Sequence, residues 1–298
     1  MNKIARIVLG VSLTVLTIAS SIVGFSHTII KQETNNTNYK NWMSSVADDT
    51  LIEDMNIPGT HDTMALYSIG DLAGKCQSLS LKDQLNIGVR FLDIRLQLNN
   101  NELRAVHGIV DQRSTFKEIA LTVESFLELN SREFIIMSIK EENGPKGSSK
   151  SFEEVLKEHI NEHYWYLGNT MPTKIDASIR GKIILLSRYS NSTIGIPANN
   201  DWKDNCSFTL DSGIYVQDKY KLTSVNEKKE EIEACFAHDG IKINFLSGYL
   251  TNYIPPSYAP SVALEINSWI KNKIKTVAKR GIVLYDFVTT DLMKGWFE

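Results

Sequence analysis

His61 and His107 are the residues that first invite a chemical reading of this 298-residue sequence. His61 stands in a Gly59-Thr60-His61-Asp62 run, and His107 precedes Gly108 at the end of another apolar stretch. Asp93 and Arg95 alternate on one predicted strand, so they share a face. Lys140, Arg188 and Asp218 each follow a β-rich run, and Asp286 sits within the apolar GIVLYDF, where an acid needs a partner. Taken singly, each has an ordinary explanation. A lone histidine is usually a surface or core residue, Asp93 and Arg95 could be a structural pair, and Lys140 opens a solvated run with Glu141 and Glu142. Their convergence on one kind of position is the signal.

Imidazoles near their natural pKa take and give protons at neutral pH. Each needs a carboxylate to fix its tautomer and support its charged form, and Asp62, Asp93 and Asp286 are available. An arginine among them suits an anionic, phosphoryl-type transition state. The same histidines and aspartates could hold a divalent cation, but Arg95 in the cluster would repel it, so no metal and no cofactor are expected.

The elements that must position this set are short β-rich runs at 55–58, 89–96, 103–106, 134–139, 182–186, 213–216, 241–246 and 281–287. Several are nearly all apolar, as in FIIMSI and GIVLYDF, which is the look of parallel strands buried on both faces. Capping-box spacing recurs at Thr115 to Glu118, Ser151 to Glu154 and Ser224 to Glu227. Phe116, Ile119, Ala120, Val123, Phe126 and Leu127 then follow at helical spacing, and a last helix is predicted over 261–278. Only a tight connection fits between 96 and 103, and no helical pattern appears between 188 and 213. The expectation is an α/β fold: an irregular (β/α)8 TIM-like barrel with incomplete helical cover, one domain over 41–298. In such a barrel the C-terminal strand ends carry the chemistry, and that is where these ionisable residues fall.

Composition agrees. Hydrophobic residues at 42% and charged residues at 22% describe a globular chain, and a net charge of −3 gives no field that would draw it to nucleic acid. Residues 1–30 read as a signal peptide or N-terminal anchor, with an apolar run over 7–25, and 31–40 as a polar linker. The domain is therefore expected outside the cell, secreted or membrane-anchored by 7–25, and monomeric. Cys76, Cys206 and Cys235 are odd in number and fit no metal spacing, so they read as small semi-buried residues.

Beyond single residues, the strings NWMS at 41, IPGTHD at 57, GVRFLDIR at 88, VHG at 106, FIIMSIKEE at 134, RGKIILLSRY at 180, VQDKYK at 216, INFLS at 243 and GIVLYDF at 281 resemble, in order and spacing, the bacterial phosphatidylinositol-specific phospholipases C. The resemblance implies a distorted TIM barrel in which the inositol 2-hydroxyl attacks phosphorus and expels diacylglycerol, leaving inositol 1,2-cyclic phosphate. It implies His61 as general base held by Asp286, and His107 as general acid aided by Asp62. It implies Arg95, with Asp93 beside it, on the phosphoryl oxygens in place of a metal. Lys140, Arg188 and Asp218 would bind inositol hydroxyls, and Tyr220 would stack on the sugar face. The partner would be phosphatidylinositol, or a glycosyl-phosphatidylinositol, at a peripheral membrane interface. The tryptophans common on the family's membrane-facing rim are missing here, which leaves Leu66, Tyr67, Ile69 and Leu72 with Tyr253, Ile254 and Tyr258 as apolar rim groups. Competing readings are another barrel phosphodiesterase, of the sphingomyelinase D or glycerophosphodiesterase kind, which would need a metal, and a non-catalytic inositol-lipid binding module.

Overall fold

The apolar runs become the staves of a curled parallel sheet. The computed structural model describes residues 39–69, 74–252 and 259–298; the expected signal or anchor segment, most of the linker, Leu72, and the rim residues Tyr253, Ile254 and Tyr258 lie outside them. In chain order the main strands are β1 (Ile57–Thr60), β2 (Phe91–Asn99), β3 (Glu102–His107), β4 (Val110–Thr115), β5 (Ile135–Glu141), β6 (Ile183–Arg188), β7 (Tyr215–Gln217), β8 (Lys242–Phe245) and β9 (Ile282–Tyr285). Neighbours run β6-β5-β2-β1-β9-β8-β7, and every pairing along that path is parallel. The first and last staves are thus adjacent, with Ile57 opposite Ile282 and Thr60 opposite Tyr285.

The run at 103–106 is not a parallel stave, contrary to expectation. Strand β3 returns antiparallel along β2, with Leu96 opposite Ala105 and Asn99 opposite Glu102. A tight connection cannot carry a crossover to a parallel neighbour. Asn100 and Asn101 make the turn at φ of 50° and 59°, the left-handed pair that a two-residue hairpin favours. Because β2 overshoots and β3 doubles back, His107 returns to the level of the barrel mouth.

Helical cover is incomplete, as the sequence suggests. The helices are α1 (Leu81–Asn86), α2 (Phe116–Leu129), α3 (Phe152–Lys157), α4 (Val225–Ala237), α5 (Ala259–Lys273) and α6 (Thr290–Phe297), and none lies between β6 and β7. Thr115–Glu118 and Ser151–Glu154 form reciprocal capping boxes. Ser224 caps α4 through the Glu227 N–H, but the Glu227 carboxylate turns to Thr223 instead. The last predicted helix stops at Lys273 and tightens into a 3-10 turn over Ile274–Thr276. Among the described residues, none of these helices is long and apolar enough to cross a membrane. All three cysteines are free, Cys76 and Cys235 buried and Cys206 half-buried.

Strand alternation divides the core. Ile94, Met137 and Val283 pack outward, in one cluster with Ile119, Val123 and Ile266 of the helices. Phe91, Ile136, Ile184 and Leu284 belong to a second cluster, which fills the barrel. Two residues further along each inner face the character changes: Phe91 is followed by Asp93 and Arg95, Leu186 by Arg188, and Leu284 by Asp286. These staves are apolar at the barrel floor and ionisable at its mouth; on β8 the inner face of Ile243 and Phe245 continues to Ser247 instead.

Candidate active site

The β1 end delivers His61 and Asp62. Gly59 is required there because a Cβ would stand 2.8 Å from the Phe91 Cβ of β2. Beyond it Asp62 takes φ of 42°, a left-handed conformation that aspartate tolerates better than most residues. Phe287, next to Asp286, is held at φ of 49°; a bulky side chain there is strained, and such strain collects at functional sites. Gln77 ties the two ends together: its amide donates to the carbonyls of His61 and Tyr285, both at 2.8 Å, and its oxygen accepts from Val288 N–H at 3.2 Å.

His61 Nδ1 lies 2.7 Å from Asp286 Oδ1, and its Nε2 lies 2.8 Å from Arg95 Nη2. A guanidinium can only donate. Nε2 is therefore the acceptor and Nδ1 carries the proton toward Asp286, which is the tautomer of a proton acceptor. Burial works against a charged imidazole, but the Asp286 carboxylate, with Asp93 behind it, overcomes both burial and Arg95 and raises the His61 pKa.

His107 is the looser of the two. Its Nδ1 is 3.0 Å from the Gly74 carbonyl oxygen, to which it donates, and its Nε2 is 3.6 Å from Asp62 Oδ2. Burial raises the Asp62 pKa, with Arg95 and His107 opposing. Cys76 lies between the two imidazole–carboxylate pairs, its Sγ 3.9 Å from His107 Nδ1. Burial, with Asp286 and Asp62 nearby, pushes the thiol well up, so it stays protonated and is no nucleophile.

Asp93 is the hub. It accepts from the Asp62 backbone N–H at 3.0 Å, from Arg95 Nη2 at 3.0 Å and from Arg188 Nη1 at 3.2 Å. Burial alone would raise its pKa; Arg95 and Arg188 outweigh it and hold the carboxyl far below the usual range. Arg95 also meets Asp62 at 3.6 Å and Glu142 at 3.4 Å. Arg188 lies over the Trp202 ring at 3.4 Å, and Trp202 Nε1 donates to Asp218 Oδ2 at 3.0 Å. Lys140 donates to Glu142 at 3.0 Å.

The ten residues singled out from the sequence thus divide. His61, Asp62, Asp93, Arg95, His107, Arg188 and Asp286 form one contiguous network, with Lys140 joined through Glu142 and Asp218 through Trp202. Tyr220 is engaged elsewhere: its hydroxyl bonds Asp204 at 2.6 Å and its ring lies 6.0 Å from Tyr249. Glu142 was read as part of a solvated run, yet it receives Arg95, Lys140 and the Gly108 N–H. Its burial works against ionisation, but Arg95 and Lys140 prevail and lower its pKa. Strand alternation from Lys140 was the available clue. Trp202 had no comparable sign, since it sits in the stretch without periodicity.

The profile of the phosphatidylinositol-specific phospholipase C X domain matches residues 55–189. A 1-phosphatidylinositol phosphodiesterase of Listeria monocytogenes is 30% identical over 280 residues, covering 88% of this chain and 85% of the relative. One from Staphylococcus aureus is 28% identical, with 89% and 93% covered. Among solved structures, the phosphatidylinositol-specific phospholipase C of Listeria monocytogenes superposes with a TM-score of 0.69 at 26% identity, over 87% of this chain and 98% of that one. A Staphylococcus aureus structure at 24% identity shares the fold with a TM-score of 0.74, over 87% of this chain and 98% of its own. The chain belongs to the bacterial phosphatidylinositol-specific phospholipases C.

Proposed function

We propose that this barrel cleaves phosphatidylinositol into diacylglycerol and inositol 1,2-cyclic phosphate, with His61 and His107 moving the protons. The observation that carries the reading is the His61 triad. A neutral imidazole with Nδ1 fixed on Asp286 and Nε2 turned to Arg95 is a base aimed at the group that holds the phosphate. An inositol 2-hydroxyl entering beside Arg95 gives its proton to Nε2 as its oxygen bonds phosphorus. The diacylglycerol oxygen then leaves with a proton from His107 Nε2, and Asp62 stabilises the imidazolium that supplies it. Arg95 neutralises the equatorial oxygens with a charge that Asp93 keeps in place, the work a metal does in other phosphodiesterases. Lys140, Arg188 and Asp218 face the headgroup as hydrogen-bonding groups, and Tyr220 would need to release Asp204 to stack on it.

Lipid presentation falls to the rim. Tyr67 is 39% exposed, Ile69 59% and Ile109 88%, and Ile109 stands in the tight turn just after His107. Net charge is slightly negative, so apolar insertion rather than long-range attraction would hold the enzyme on a bilayer. Phosphorus NMR of the products, with chelator present, tests the reading. A cyclic phosphodiester is expected as the first product; direct appearance of a monoester, or loss of activity on chelation, would defeat it. In the same assay Ile109→Ser should slow turnover on vesicles and spare a short-chain monomeric substrate.

A further inference from the structure

Among the described residues, two groups could hold a metal ion, and Cys76 belongs to both: His61 with Cys76 and Asp286, and Asp62 with Cys76 and His107. The first is committed to a tight 2.7 Å imidazole–carboxylate bond. The second is open. Asp62 is 1% exposed, yet its Oδ2 takes no hydrogen bond. It faces His107 Nε2 across 3.6 Å, too far for a hydrogen bond. One ligand atom from each of Asp62, Cys76 and His107 lies within 4.8 Å of the other two. His107 is also set up as a ligand: Nδ1 is 3.0 Å from the Gly74 carbonyl, the outer contact that fixes the tautomer and leaves Nε2 with its lone pair. The thiol is fixed by its backbone, since Cys76 N–H donates to Ala65 O at 2.8 Å and Cys76 O accepts from Phe287 N–H at 2.7 Å.

We propose that Asp62, Cys76 and His107 form a site for a thiophilic divalent cation of the zinc class. An oxygen, a nitrogen and a sulfur donor make a borderline-soft set that zinc accepts and calcium or magnesium does not favour. On binding, the Cys76 S–H bond breaks and an S–Zn bond forms; the proton leaves to buffer, and no electrons are transferred. Arg95 opposes the cation, but Asp62, Asp93, Asp286 and Glu142 surround it, and the new thiolate adds a further negative charge. The cation would take the lone pair and the place of the proton that His107 needs. Inhibition by zinc therefore follows, a consequence that rests on the proton-transfer role given to His107 above.

Cobalt(II) serves as the spectroscopic probe, because a thiolate ligand gives it a charge-transfer band in the near ultraviolet. The full-length protein is titrated with cobalt and, separately, assayed with zinc on a soluble substrate. Cys76→Ala and Cys76→Ser are compared, each against its own metal-free rate, so that Cys206 and Cys235 serve as internal controls. The expected result is a thiolate band in the unmodified protein that disappears in both variants. Zinc inhibition should weaken at least about tenfold with it, the loss that follows a damaged ligand set. Absence of the band, or its persistence in Cys76→Ala, overturns the site. A band without inhibition keeps the site and removes His107 from proton transfer, so the two claims fail separately.

Discussion

Arg90 lies just before β2 and Arg95 five residues on within it, and the protein uses them in opposite ways. Arg90, at the barrel floor, is fully buried and bonds Glu133 at 2.8 Å. Its remaining donors go to the carbonyls of Leu85 (2.9 Å), Val89 (2.8 Å) and Lys40 (2.6 Å), with the Phe126 ring 4.7 Å away. Its partners are fixed by the fold. Arg95, at the mouth, is surrounded by Asp62, Asp93, Glu142 and His61, and its contacts range from 2.8 to 3.6 Å. Around it, Asp62 Oδ2 and Asp286 Oδ2 take no hydrogen bond. The floor arginine is tied to the backbone by three of its donors; the mouth arginine is held by side chains that a ligand can displace. Burial alone does not separate a structural charge from a catalytic one. Nor does spare hydrogen-bonding capacity, since Glu133 Oε1 beside Arg90 is unpaired as well; what differs is that Arg90 spends three donors on backbone carbonyls and Arg95 meets side chains.

The sharpest way to break this contrast is at the mouth. His61→Ala and His107→Ala should each lower turnover by about 10²–10⁴, the range for a lost general acid or base, with little change in stability. A substrate with a far better leaving group should rescue His107→Ala and leave His61→Ala slow; equal rescue of both would cancel the assignment of base and acid. Next come the two arginines. Arg95→Gln should cost about 10²–10³ in turnover but little stability, because Asp93 retains Arg188 and Asp62 can take up a proton. Arg90→Met should do the reverse. It leaves Glu133 buried without its cation, at about 3–5 kcal/mol, while the activity per folded molecule stays near that of the unmodified enzyme. Urea melts beside soluble-substrate kinetics decide it; matching stability losses for the two would erase the distinction.

The smallest effect is a shift of a pH limb. Asp286 raises the His61 pKa against the effect of burial, and a base works only when neutral. Activity should therefore fall as pH drops through a value above the ordinary imidazole range. In Asp286→Asn the raising carboxylate is gone, so burial and Arg95 push the pKa down and the limb should move to lower pH, beneath a reduced plateau. A limb that stays in place in a kcat/KM profile would remove Asp286 as its cause.

Much of this was legible in the sequence because strand alternation is local. FLDIR and GIVLYDF each say that an apolar inner face ends in an ionisable group, and the parallel-barrel expectation then places those groups on one rim. The hairpin at 96–103 was half legible: the short connection was visible, but its antiparallel consequence was not drawn, and β3 was counted third among eight staves. What stayed hidden depends on chain segments that meet only in space. Glu142 looked solvated because its partners, Arg95 and the Gly108 N–H, come from elsewhere in the chain. Trp202 lies in a stretch with no period. Cys76 read as inert because a linear spacing search cannot see Asp62 and His107 converge on it.

The adjacency of β1 and β9 has a consequence in time. His61 and Asp286 are separated by 225 positions, and their strands pair directly. During synthesis the base can acquire its carboxylate only after β9 has emerged, since domains assemble as units and long-range pairings form late. No fragment that ends before Asp286 holds a working triad. Catalytic competence is thus a report that the barrel has been joined first strand to last.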